Sequence, residues 1–187
     1  MPLRTLPSVG MILLAALLLS GEALAKVYAS RSEAVAKAFP GATRVEEKSW
    51  LLDDHQLKAI EDLARSKIES RIVTIYTGYR GDALLGYALI DVHTVRTLPE
   101  AFLVVMTPAG EVEQLRLLAF YEPEEYAPQV RWLSQFRARP LAPSLRLHGE
   151  IDGISGATLT ARAVTGGVRR ALAIHRTLLE RRVAAGP

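Results

Sequence analysis

Nine residues, Asp152-Gly-Ile-Ser-Gly-Ala-Thr-Leu-Thr160, gather small and hydroxylated side chains just before the longest helical pattern in the chain. Backbone N–H groups in the first turn of a helix have no intrahelical acceptor, and the helix dipole is positive there. A Gly-bearing loop leading into that turn therefore suits a phosphate or another anion. The same residue types also make an ordinary helix start, with Ser155, Thr158 or Thr160 as the capping side chain and a glycine forming the turn. Residue types alone leave both readings open.

Other chemistries lack their residues. The chain has no Cys, which excludes disulfides, thiolate metal sites, iron–sulfur clusters and a cysteine nucleophile. His55, His93, His148 and His175 have no helical metal-binding spacing, so they read as surface or cap residues and no metal site is expected. Gly153-Ile-Ser-Gly-Ala157 departs from a nucleophile elbow because its second Gly comes one place early. No catalytic residue is assigned.

Asp152 to Thr158 resembles the flavinylation sequon Asp-x-x-Ser/Thr-Gly-Ala-Thr of the FMN-binding domain family, found in the covalent-flavin subunits of the sodium-pumping NADH:quinone reductase and the Rnf complex. The resemblance extends to the apolar N-terminus, the mixed helix and strand body, the Gln135-Phe136 segment and the long helix after the motif, covering essentially the whole chain after its leader. It implies FMN joined through a phosphodiester to Thr158, delivered by a flavin transferase that uses FAD. Asp152, Ser155, Gly156, Ala157 and Thr160 would complete the cofactor-binding set. Under this resemblance Asp152 serves the modification step, Gly156 and Ala157 let the phosphate approach the backbone, and Ser155 and Thr160 are loop and helix-cap neighbours.

The chain departs from the family at Tyr121-Glu-Pro-Glu-Glu-Tyr126, where respiratory members carry a Glu-Thr-Pro-Gly type stretch near the flavin. Tyr121, Glu122 and Tyr126 are candidates to line the isoalloxazine, against the alternative of edge packing after a strand. Trp50 and Trp132 read as core residues. The function implied is an electron carrier relaying between membrane-bound or periplasmic redox proteins. Two alternatives from other classes are a binding or sensor module that never receives flavin and a flavin-dependent reductase of an external acceptor.

Several elements must position this motif. Ser30-Arg-Ser-Glu33 has capping-box spacing and Asp53-Asp-His-Gln56 gives a second start signal, which predicts two helices, the first stopped by Pro40-Gly41. Ile72–Tyr76, Leu84–Ile90, Ala101–Met106 and Val112–Ala119 are apolar, β-rich runs separated by turn signals, which predicts an antiparallel meander. Residues 121–150 read as loop-rich around a helical turn or two over Gln129–Phe136, with Val130, Leu133 and Phe136 docking on the sheet. A long helix is predicted from about Thr160 to Val183. The fold class is α+β: an antiparallel sheet with flanking helices and a long C-terminal helix.

With 49% hydrophobic and 23% charged residues, the 187-residue chain is globular, of one-domain length. A net charge of +3 without a basic tract gives no nucleic-acid footprint. Arg4, the apolar run Met11–Leu19 and Ala23-Leu-Ala25 form the three-part pattern of a signal peptide. As a helix that run rises only about 14 Å, against about 30 Å of bilayer hydrocarbon. The expected organisation is a leader over 1–25, cleaved so that the chain begins at Lys26, and an FMN-binding domain over 26–187, placing the protein outside the cytoplasm. Retained anchoring through an uncleaved leader is the alternative.

Overall fold

The computed structural model describes residues 26–180, so the expected leader over 1–25 and the C-terminal seven residues lie outside the description. The strands are β1 (Lys26–Val27), β2 (Arg44–Leu51), β3 (Ile72–Arg80), β4 (Ala83–Thr94), β5 (Pro99–Met106) and β6 (Val112–Phe120). They form one antiparallel sheet in the order β1-β6-β5-β4-β3-β2. The predicted meander is its centre. The sheet adds β2 along one edge and the two-residue β1 along the other.

Alternation of side chains along a strand gives the sheet two apolar faces, and each takes its own cover. On one face Val73, Ile75, Leu89, Phe102, Val104 and Met106 pack with residues of α2 (Asp54–Ala64) and α4 (Thr158–His175). On the other, Tyr76, Ala88, Leu103, Val105 and Leu118 are covered by Ala34 of α1 (Arg31–Ala36) and by Ala38 and Phe39. Both predicted helix starts are formed, each as a capping box: Ser30 with Glu33 starts α1, and Asp53 with Gln56 starts α2.

The last helix begins two residues earlier than predicted and passes after His175 into a wider π turn, Arg176–Glu180. Among the described residues no helix is long and apolar enough to cross a membrane. Between β6 and α4 the chain forms only short pieces: a 3-10 turn at Glu124–Tyr126, α3 (Val130–Leu133) and a second 3-10 turn at Ser134–Phe136. Leu133 and Phe136 dock as expected, but Val130 is 83% exposed. It opens α3 between exposed Gln129 and Arg131, on the side of the turn that faces solvent.

Arg169 fixes α4 against its neighbours. Its buried guanidinium donates to the carbonyls of Leu63 and Ala64 at the end of α2, and to those of Ala142 and Leu145 in the preceding loop. A cation there satisfies helix-end carbonyls and opposes the negative end of the α2 dipole.

Candidate functional site

The motif is held at its first residue. The backbone N–H of Asp152 donates to Gln135 Oε1 at 2.9 Å, and the Asp152 carbonyl accepts from Trp132 Nε1 at 2.8 Å. Just before it, Ile151 is fully buried and bridges Leu147, so the exposed loop departs from an anchored point.

A tight turn then leads into α4. Ala157 N–H donates to the Ile154 carbonyl at 3.1 Å, and Gly156, third of these four residues, has φ +78°. A positive φ at that place is the type II pattern, which selects glycine. A Cβ built on Gly156 would meet nothing within 4 Å, so the space beside the turn is open for a bulky group.

Ala157 occupies the N-cap position without a side-chain cap, and the first turn carries no acidic residue. The helix ladder starts with Ala161 N–H donating to the Ala157 carbonyl at 3.0 Å. The N–H groups of Thr158, Leu159 and Thr160 thus have no intrahelical acceptor. Thr158, the first residue of the helix, is exposed, as are Asp152, Ser155 and Gly156, while Ala157 is buried.

Thr160 is not the helix cap expected of it. It is 1% exposed and stands inside the first turn, because capping requires the residue before the helix and the chain places Ala157 there.

Glu122 has a structural task. Its Oε1 accepts from the backbone N–H groups of Arg96, Thr97 and Leu98 at 3.1, 2.8 and 2.9 Å, closing the β4–β5 connection. These bonds hold its carboxyl below the usual range, the Thr97 bond most strongly. Tyr126 is exposed and Tyr121 half-buried. Trp132 packs edge-on against Phe136 with centroids 5.4 Å apart, so it is a core neighbour that also holds the motif. Trp50 is half-buried against the main core.

Two histidines correct the expectation of surface or cap residues: His93 is 4% exposed and His175 2%. His175 packs edge-on to Tyr87 beneath Gly110, and burial lowers its pKa. His93 belongs to a charged cluster enclosed between sheet and α4. Its Nδ1 lies 2.5 Å from Asp91 Oδ2 and its Nε2 2.5 Å from Glu100 Oε1, and Arg170 donates through Nε and Nη2 to the two Asp91 oxygens at 2.9 and 2.7 Å.

Burial works against a charged imidazole, but hydrogen bonds to Asp91 and Glu100 push the His93 pKa up to about 9. Burial likewise opposes the Asp91 carboxylate, yet His93 and Arg170 bring its pKa below the usual value. For Glu100 burial wins over His93 and the pKa rises. The sequence carried a signal for this group: polar residues at 91 and 93 interrupt the core-facing alternation of β4, and His93 lies directly opposite Glu100 in the β4–β5 register.

Beside the cluster the β3–β4 ladder stops at Ile75↔Leu89, although β3 continues its pairing with β2 and β4 with β5. A cavity of about 380 Å³ occupies the fork, reaching Asp91 and Arg170 between apolar walls that include Val73, Leu89 and Ile174. Arg170 stands more than three helical turns beyond Thr158, so fork and motif are separate places on the molecule.

The comparison with protein families matches residues 100–173 to the family described as FMN-binding domain. Over these residues the chain is similar to that family. The matched span begins at Glu100 of β5, includes β6, the Trp132–Phe136 segment and the motif, and ends within α4. It is narrower than the expected domain, leaving β1, β2, β3, β4, α1 and α2 outside it. No curated protein matches the chain. The residues at the motif fit the phosphate end of FMN: a hydroxyl exposed on the first helical residue, open space at Gly156, and first-turn N–H groups with no intrahelical acceptor.

Proposed function

We propose that the protein is an exported redox carrier to which FMN is joined through a phosphodiester at Thr158 Oγ1. The FMN-binding family match over residues 100–173 carries this reading, together with an exposed threonine at the start of α4 inside the complete sequon. Attachment forms the Thr158 Oγ1–P bond and breaks the pyrophosphate bond of FAD. AMP leaves, and the hydroxyl proton passes to solvent or to a base of the transferase.

The linked phosphate keeps one negative charge, and the N–H groups of the first turn and the helix dipole stabilise it. Gly156 admits the group to the backbone, Ser155 lies in the same turn, and Asp152 at the head of the loop orients the acceptor for the transferase. When bound, FMN supplies the electron-transfer chemistry, with the protein setting access and potential. Donor and acceptor are membrane-bound or periplasmic redox proteins, and the leader over 1–25 takes the chain to their compartment.

The test is intact mass after expression beside a periplasmic flavin transferase. The exported protein gains the mass of FMN less one water, and Thr158→Val, which keeps the shape and removes the hydroxyl, gains nothing while remaining folded. A Thr158→Val protein that still carries denaturation-resistant flavin overturns the attachment. A colourless wild type makes the binding or sensor module the better reading.

A further inference from the structure

The motif loop is tied to the body of the protein by a closed circuit of three hydrogen bonds. Gln135 Nε2 donates to the Trp132 carbonyl at 3.3 Å, Gln135 Oε1 accepts from Asp152 N–H at 2.9 Å, and Trp132 Nε1 donates to the Asp152 carbonyl at 2.8 Å. Both polar groups of the Asp152 peptide backbone are taken, one from each side. The amide of Gln135 is oriented by the same circuit, because its nitrogen must face a carbonyl and its oxygen an N–H.

We infer that Trp132 and Gln135 are positioning residues for modification at Thr158: they fix the height and direction from which the acceptor loop leaves the domain. The inference rests on the proposed flavinylation.

Three observations give the clamp this task. From Asp152 to Ser155 the described hydrogen bonds to the body are made only through the Asp152 backbone, and the loop closes on itself at the Ile154–Ala157 turn. At its other end Ala157 caps α4 without a side chain, so no second polar tie secures the loop there. The clamp itself is well founded, since Leu133 and Phe136 beside it are buried and the Trp132 ring rests edge-on against Phe136. Rigid elements hold a reacting group more accurately than a free loop does, and a hydroxyl displaced by about 1 Å loses a large part of the advantage of orientation. Neither side chain touches the reacting oxygen; each acts through the Asp152 backbone.

The inference is tested with the full exported chain, purified transferase, FAD and Mg²⁺, following modification by intact mass. Trp132→Phe keeps a ring against Phe136 and removes the indole donor; Gln135→Met keeps length and removes both the acceptor for the Asp152 N–H and the donor to the Trp132 carbonyl. Each is expected to lower kcat for modification about tenfold, in line with the loss of its one bond to the Asp152 backbone, while the KM for FAD and the melting midpoint stay near wild type. Because the three bonds close one circuit, the double variant falls by less than the product of the two single losses.

Amide exchange supplies a readout independent of the transferase. The Asp152 N–H exchanges slowly in wild type and quickly in Gln135→Met, with α4 protection unchanged. Single variants modified at the wild-type rate, or an Asp152 amide that exchanges as fast in wild type as in Gln135→Met, overturn the clamp while leaving attachment intact. A wild type that takes no flavin overturns the proposed function and this inference together. Should Trp132→Phe lose its fold, Gln135→Met and the exchange measurement decide.

Discussion

Glu122 and Thr158 illustrate two uses of an unpaired backbone N–H. The three donors at Arg96, Thr97 and Leu98 are collected by one carboxylate of the chain itself, whereas those opening α4 meet no capping side chain. Removing the first collector should therefore cost stability. Glu122→Ala is expected to lower unfolding free energy by about 1–3 kcal/mol, read in urea, since it leaves several donors without their acceptor. Its folded pKa is lowered, so its contribution is present above the ordinary carboxylate range and fades as pH falls through the folded value. The wild-type and Glu122→Ala midpoints should accordingly converge toward acid. Sequence alone places Glu122 beside a strand end but does not say which turn folds back to meet it, and that long-range closure is why its task could not be read from residues 121–126.

At the scale of elements, what the sequence makes legible is what is local. Ser30 with Glu33 and Asp53 with Gln56 are contacts three residues apart, and both helix starts follow from them. β2 was not legible for the opposite reason: it is an edge strand whose residues are exposed save half-buried Trp50, so its alternation carries little apolar signal. In α4 the apolar side was legible and only the charged part of its seat was not, because its buried residues include Arg169 and Arg170, which a hydrophobic pattern assigns to solvent.

Gly167 shows how closely that seat fits. A Cβ there would lie 2.6 Å from Asp91 Oδ2 and 3.2 Å from His93 Cε1, atoms held by the buried cluster. Alanine is the better helix former by about 1 kcal/mol, yet Gly167→Ala is expected to destabilise by about 1–3 kcal/mol through overpacking. At Gly166 the nearest atom is the Ser66 hydroxyl at 3.1 Å. Gly166→Ala should thus melt above Gly167→Ala, and the reverse order would show that α4 is not seated on the cluster.

For the whole molecule, the cluster makes stability depend on pH. Asp91 and Glu100 would bring two negative charges to the interior, balanced by Arg170 and a protonated His93, and the described side chains facing His93 from β4, β5 and α4 include these three. His93 has its pKa raised from 6.5 to about 9, so its stabilising contribution is fully present below about pH 6.5 and is lost as pH rises through about 9. Glu100 acts in the same sense at lower pH: its raised pKa means that ionising it in the fold already costs stability above the ordinary carboxylate range.

A shift of that size on His93 corresponds to at most about 3 kcal/mol, shared with its coupled neighbours. The unfolding midpoint in urea should therefore fall as pH rises from about 6.5 to about 9, most steeply between those two values, and level off above them. His93→Gln with Glu100→Gln replaces the shared proton by neutral amides that keep hydrogen-bonding capacity, and the fall over this range should flatten. An equal fall in wild type and double variant would assign the pH dependence to other groups. The charge pattern at 91, 93 and 100 would then be a matter of packing alone.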